Sequence, residues 1–237
     1  MGIPISLTII AFAALIHASF QLSVSVLTIL SGHSIGAKHS QAKLFRLTTS
    51  FLFGAAIMTV LLLSSISFVL FNIFGSITPA IVWSGSCGLL IGVAVSVWMF
   101  YYRRESGTML WIPRNIAKFL ADRTRKTKTS SESFSLGMTS VISETLFIIA
   151  PLIISGLVLI QLPPVWQFVG VIIYTIISLL PLTIVWGLIG GGHTLGRIQK
   201  WREDNKYFLQ FSAGMGLIIL SLFVYVYEIL STNMGVI

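Results

Sequence analysis

A single carboxylate lies in the middle of an otherwise apolar stretch. The residues from Ser140 to Pro151 are SVISETLFIIAP, and Glu144 is the only charged side chain between Ser133 and Gly196 when histidine is counted as neutral. A charged group at the centre of a bilayer costs roughly 2.5–3.5 kcal/mol on insertion scales. The carboxylate must therefore be protonated, paired or hydrated, and the chain has to supply its partners.

Two polar residues of the first apolar segment are the candidate partners. His17 and Gln21 are four residues apart, which places them on one face of a helix. Like Glu144, His17 lies about halfway along a segment that is long enough to cross a ~30 Å apolar core. We therefore predict a site for a proton, a cation or a small solute, although a buried hydrogen bond that only fixes packing is the alternative. The predicted site residues are Glu144, His17, Gln21, Ser143 and Pro151.

Two further histidines belong to a repeated motif. GHSIG begins at Gly32 and GHTLG begins at Gly192, each directly after an apolar segment. The glycines can end helices in the left-handed conformation, whereas His33 and His193 could gate the mouth of a pathway or respond to pH. A metal site that adds His39 fits no known zinc spacing, so neither a metal nor another cofactor is predicted.

The elements that position these residues are membrane helices. Apolar residues make up 55% of the 237-residue chain and charged residues only 9%, against about 25% charged residues in soluble domains. Six segments reach the length of about 20 residues that a span needs. We predict an all-α polytopic membrane protein with spans at Pro4–Leu30, Leu47–Phe74, Pro79–Tyr102, Phe134–Ile160, Val165–Ile189 and Tyr207–Leu230.

The basic residues predict the orientation of the chain. All 15 Lys and Arg residues follow the first, third or fifth segment and would lie on one side. The positive-inside rule places that side in the cytoplasm and both termini outside a cell membrane. The expected partners of the basic loops are anionic headgroups, and no nucleic-acid-binding motif is present. In the longest loop, an interfacial helix is predicted from the shared apolar face of Ile112, Ile116, Phe119 and Leu120.

The segments divide into two halves of opposite orientation. Residues 1–102 form a first three-helix repeat, 103–133 a basic cytoplasmic loop, and 134–237 a second three-helix repeat. Inverted repeats of this kind are found in many transporters, whose binding sites lie near the midplane between the halves. This arrangement predicts that the first helix of each half contributes to the site.

Several features of the chain resemble a known family. The fifth segment has Gly170, Tyr174 and Pro181 in the spacing G-x3-Y-x6-P, Pro151 interrupts the fourth, and TILSG occupies 28–32. They resemble the CcdA/DsbD-type transmembrane thiol-electron carriers, part of a six-span group that includes the LysE-type exporters. The resemblance implies a six-span fold with helix breaks at Tyr174 and Pro181. The chain departs from this family in one respect: neither the first nor the fourth segment has the cysteine that disulfide exchange needs. Disulfide exchange by this chain alone is therefore excluded.

Together these features predict a secondary transporter or exporter of a small solute or cation, coupled to protons through Glu144. No enzyme is predicted, because the chain has no GxSxG, P-loop or HExxH motif. The alternative is a non-catalytic CcdA-like membrane subunit or scaffold that binds a partner protein, and electron transfer with thiols from a partner is the third interpretation. A membrane protein partner or a homodimer fits any of these functions.

Overall fold

The described part of the protein is helical. The computed structural model describes residues 2–20, 24–28, 30, 41–100, 119–120, 122–124, 126–191, 200–201 and 203–230, and these contain no strand. This confirms the all-α prediction for the described residues. The helices are α1 (Ile3–Ser19), α2 (Gln41–Phe74), α3 (Ala80–Phe100), α4 (Ser130–Leu159), α5 (Pro164–Ser178), α6 (Leu180–Gly190) and α7 (Lys206–Val224), and α7 continues into a π-helix at Tyr225–Leu230.

Four of these helices are long and apolar enough to cross a membrane: α2, α3, α4 and α7 with its π-helical extension. The pair α5 and α6 is bent by 53° and counts as a fifth if it forms one broken span. At 1.5 Å per residue, the 34 residues of α2 extend about 51 Å and exceed the ~30 Å apolar core. Their length and apolar composition are compatible with a multi-pass membrane protein.

The first predicted span is not one uninterrupted helix. Helix α1 ends at Ser19, because Phe20 has an extended backbone with φ −85° and ψ 124°, and residues 24–28 are helical again. The prediction of a continuous helix over Pro4–Leu30 is therefore wrong at Phe20. Neither Gly nor Pro is present at this position, and apolar composition alone gives no signal for the break.

Helices α2 and α4 run parallel and cross at two glycines. A Cβ atom on Gly54 would overlap the main-chain oxygen of Phe134, and one on Gly137 would overlap that of Phe51. The backbones are thus in direct contact, which small residues permit in membrane helices. Close by, the hydroxyl of Ser133 donates to the α2 main chain at 2.7 Å. This crossing fixes the N-terminal half of α4, the helix that carries Glu144.

Helices α1 and α5 form a second parallel pair. A Cβ atom on Gly170 of α5 would lie 3.0 Å from the side chain of Ile10, so these helices also approach closely at a glycine. One turn further along α5, the Tyr174 hydroxyl hydrogen-bonds to His17 of α1. Helix α1 also packs against α4 and α7 and is therefore enclosed by three neighbours.

Helices α3 and α7 run antiparallel and are joined by polar contacts at two levels. The Cys87 thiol donates to the carbonyl of Ser221 at 3.5 Å, and the Ser221 hydroxyl donates to the carbonyl of Cys87 at 3.1 Å. Nearer the other end, the Gln210 amide donates to the main chain of Val97 and Trp98. These bonds satisfy polar groups that would otherwise be unpaired in a bilayer.

The bend between α5 and α6 lies at Leu179, beside Pro181. Proline has no N–H to donate, and Pro181 occupies the first turn of α6, where that loss is tolerated. Tyr174 lies inside α5, which is continuous to Ser178. The break predicted at Tyr174 is therefore wrong, and the bend comes five residues later. On the far side of the bend, Trp186 of α6 donates to the hydroxyl of Thr49 on α2 at 2.9 Å.

Little of the basic loop between the halves is described. Ile112 and Ile116 of the predicted interfacial helix lie outside the described residues. Phe119 and Leu120 are helical, Phe119 is about half exposed and Leu120 is buried. The interfacial helix therefore stays a prediction.

Candidate functional site

The structure brings together the two polar residues predicted to face each other. Glu144 is the fifteenth residue of the 30-residue helix α4, and His17 lies in the last turn of α1. The Nε2 atom of His17 is 3.9 Å from Oε2 of Glu144, and both side chains are 4% exposed. The separation is longer than a hydrogen bond but well inside the range of direct electrostatic interaction.

A third polar side chain, Tyr174 of α5, completes the site. Its hydroxyl lies 3.1 Å from Nδ1 of His17, and the tyrosine is fully buried. When the imidazole proton is on Nε2, Tyr174 donates to Nδ1 and the Nε2–H group faces Glu144. His17 then connects two helices, α5 through its Nδ1 atom and α4 through its Nε2 atom.

Sequence reasoning missed the role of Tyr174 and interpreted it as a helix break. A signal was available, because a tyrosine within an apolar span needs a partner for its hydroxyl. The distance along the sequence concealed that partner: 157 residues separate Tyr174 from His17. Only the packing of α1 on α5 shows that these two side chains meet.

Two aromatic rings lie next to the acidic group. Phe20, the residue at which α1 ends, stacks on Phe147 of α4 with ring centroids 5.8 Å apart. Pro151 lies four residues after Phe147 inside α4, so it cannot donate the helical hydrogen bond to the Phe147 carbonyl. Pro151 thus weakens the main-chain bonding of α4 two turns from Glu144, without contributing a side chain to the trio.

The end of α1 contributes to the electrostatics of the site. The last carbonyls of a helix carry a partial negative charge of about half an elementary charge. Phe20 N–H donates to the carbonyl of His17, and the Ser19 hydroxyl donates to that of Ile16. The Nε2 atom of His17, in the last turn of this helix, is 3.9 Å from Oε2 of Glu144, so the helix end lies near the carboxylate. The local field therefore favours a positive charge.

The remaining predicted residues do not join this trio in the described structure. The Ser143 hydroxyl donates to the carbonyl of Thr139 at 2.8 Å and is thereby used within α4. Ser140, one turn before Glu144, is fully buried, and its hydroxyl donates to the carbonyl of Gly137. The other predicted site residues lie outside the described residues: Gln21, Gly32, His33, Gly192 and His193.

The trio can hold a proton or a cation. Carboxylate, imidazole and phenol offer oxygen and nitrogen acceptors, and the first two can gain or lose a proton near neutral pH when their surroundings allow it. Within the described residues, no group of three His, Cys, Asp or Glu side chains is placed to bind a metal ion.

Comparison of the chain with protein-family models, with curated proteins and with solved structures gives no match.

Proposed function

We propose that this protein is a secondary transporter that moves a cation or a small solute across the cell membrane, coupled to protons through Glu144. In this proposal the chain has six spans in two inverted halves, related in fold to the CcdA-like and LysE-like group. Its basic loops are cytoplasmic and both termini are outside. The observation that carries the proposal is the contact of His17 with both Tyr174 and Glu144, which lies halfway along α4.

The cost of burying the carboxylate supports a functional role. A carboxylate at mid-membrane costs roughly 2.5–3.5 kcal/mol on insertion scales, whereas polar contacts between membrane helices average about 0.6 kcal/mol. The His17 imidazole, 3.9 Å from Oε2 of Glu144, is close enough to share a proton with this carboxylate. Release and uptake of a proton, or binding of a cation in its place, explains a buried carboxylate at this position better than packing does.

The charge around the site favours a cationic species over an anionic one. Glu144 and the carbonyl end of α1 both contribute negative potential. The other two members of the trio, His17 and Tyr174, carry no permanent charge. A proton and a cation can compete for this potential, and such competition is what coupled transport requires.

The pairing of the helices supports two related halves. If the halves are related, α1 corresponds to α4, α2 to α5, and α3 to α7. The contact between α2 and α4 then corresponds to that between α5 and α1, and both pairs are parallel. In the same way, the contact of α1 with α7 corresponds to that of α4 with α3. A two-fold axis in the membrane plane makes each helix antiparallel to the corresponding helix of the other half, and α3 and α7 are antiparallel.

The burial of the trio supports a transport cycle with an occluded state. None of the three residues is more than 3% exposed, so a solute reaches them only after the helices move. Both helices that form the His17–Tyr174 contact are interrupted shortly after it: α1 ends before Phe20, and α5 bends into α6 at Leu179. Broken helices next to a midplane site are typical of transporters that expose the site alternately to each side.

The test is proton flux in proteoliposomes that contain a pH-sensitive dye. A panel of monovalent, divalent and small organic cations is added outside at pH values from 5 to 8. We expect at least one cation to drive proton movement in the parent protein. Glu144→Gln should abolish this movement while leaving the fold intact, because glutamine keeps the shape and polarity of the side chain but cannot ionise.

Glu144→Leu is the matched control for a packing role, because it removes the polar group altogether. If Glu144→Gln transports like the parent at every pH while Glu144→Leu only loses thermal stability, the carboxylate is a packing residue and the proposal is wrong. If the parent drives no flux with any cation and needs a copurifying protein for stability, the scaffold interpretation replaces it.

A further inference from the structure

We propose that a discrete binding site for the phosphate headgroup of an anionic phospholipid lies at the N-terminal end of α4, distinct from the trio around His17. A cavity of about 300 Å³ opens there between the short helical stretch around Arg123 and the first three turns of α4. Residues that line it include Phe119, Arg123, Lys126, Glu132, Ser135 and Thr139. The inference does not depend on the proposed transport activity.

Two cations in this cavity have no ion-pair partner within the described part of the chain. No described carboxylate lies within the 4.0 Å that defines an ion pair with Arg123 or Lys126, and the charge of Arg123 acts on Glu132 only at longer range. The guanidinium of Arg123 lies 5.9 Å from the ring centre of Phe119, a cation–π contact that orients it beside the cavity. Both side chains are exposed and can therefore reach a phosphate group.

The carboxylate that also lines the cavity is already engaged. Oε2 of Glu132 accepts from the main-chain N–H groups of Lys128 and Thr129 at 2.8 and 3.1 Å. In return, Thr129 accepts from the N–H of Glu132, so the start of α4 is capped by the chain itself. The capped helix end thus offers the ligand nothing, and the cavity retains a net positive charge from its two cations and one acid.

The position of the cavity favours a lipid as the source of the phosphate. Helix α4 is apolar enough to cross a membrane, and the cavity lies at one of its ends, the level of the headgroups. Phe119 is 49% exposed at its edge and gives an apolar surface that suits the glycerol and upper acyl region. Deeper along α4, the Ser135 hydroxyl can donate to the headgroup, whereas that of Thr139 donates to the carbonyl of Ser135 and can only accept. Basic side chains near the bilayer surface attract anionic lipids.

Native mass spectrometry of the full-length protein in detergent tests the site, with phosphatidylglycerol and phosphatidylcholine as probes. We expect phosphatidylglycerol to be retained and phosphatidylcholine to be lost. Arg123→Gln with Lys126→Gln should weaken phosphatidylglycerol binding at least about tenfold, because two charge-assisted contacts are removed. The matched control, Lys128→Gln with Lys200→Gln, removes the same charge from exposed positions that do not line the cavity and should change binding less than about twofold.

A third variant keeps the proposal testable if the double charge variant fails to fold. Ser135→Phe leaves the net charge unchanged and fills the cavity from an exposed position on α4, so it should also weaken binding. Equal losses in the pocket and control variants, or full binding by Ser135→Phe, would show that only general charge attracts the lipid. Displacement of the lipid by millimolar inorganic phosphate would mean that the site binds free anions, and the lipid assignment would be wrong.

Discussion

The glycine crossing between α2 and α4 gives the sharpest prediction about the fold. We expect Gly137→Ala to destabilise the protein, because its methyl group would overlap the carbonyl oxygen of Phe51 and lie 3.0 Å from the main-chain nitrogen of Ala55. Both neighbours belong to backbone, so no side chain can rotate away. The two helices would have to separate, and contacts along both sides of the crossing would weaken.

The magnitude follows from the cost of overpacking. Extra methyl groups in a packed interior cost about 1–3 kcal/mol, and a backbone clash belongs at the upper end of that range. For a chain of this size, each kcal/mol lowers Tm by about 2–4 °C. Alanine regains about 1 kcal/mol through its higher helix propensity, so Gly137→Ala should lower Tm by roughly 4–8 °C. Tryptophan fluorescence during heating of the detergent-solubilised protein measures this directly.

Gly88→Ala is the matched control within the same protein. Gly88 lies inside α3, and a Cβ atom there would have no neighbour within 4 Å. Alanine also has the higher helix propensity, so this substitution should leave Tm unchanged or raise it slightly. If Gly137→Ala and Gly88→Ala behaved alike, α2 and α4 would not be in backbone contact, and the placement of Glu144 by this crossing would be refuted.

Three further predictions concern single side chains. Tyr174→Phe removes the hydroxyl bonded to His17 and should cost about 1 kcal/mol of unfolding free energy while changing the pH profile of any flux; an unchanged profile would limit Tyr174 to packing. Ser133→Ala removes a 2.7 Å hydrogen bond to the α2 main chain and should lower Tm by a few degrees. Ser133→Cys should lower Tm less, because a thiol of similar size is a weak donor. Cysteines introduced at Ser130 and Ser76 should be labelled by an impermeant reagent only from the cytoplasm and only from outside, respectively; labelling of Ser130→Cys in intact cells would contradict the proposed topology.

The sequence predicted the helices better than their interruptions. Apolar composition and length are averaged over about 20 residues, so α2, α3, α4 and α7 could be found with ends close to the observed ones. The bend near Pro181 has a local chemical cause that a sequence shows. The break at Phe20 has no such cause in the sequence, although in the structure the Phe20 ring stacks on Phe147, which is distant along the chain.

Only part of the site could be predicted. The depth of a residue in a membrane helix follows from its position in the sequence, whereas the helices that pack beside it do not. Equal depth led to the pairing of His17 with Glu144, whose side chains do approach each other. Tyr174 required knowledge that α5 packs in parallel on α1, which depends on a glycine contact between the two helices. Ser143 was predicted as one of the hydroxyl residues of the fourth segment, but adjacent residues on a helix point in different directions, and its hydroxyl donates to the carbonyl of Thr139.

The bond between Cys87 and Ser221 has a practical consequence. Cys87 is the only cysteine in the chain and is 6% exposed between α3 and α7. A thiol in this position reacts with a maleimide dye only when the two helices separate, so its labelling rate reports the frequency of that opening. Cys87 is therefore an intrinsic probe of the separation of α3 and α7 in the unsubstituted protein. Changes in that rate with pH or added cations would reveal coupling to the trio without any substitution.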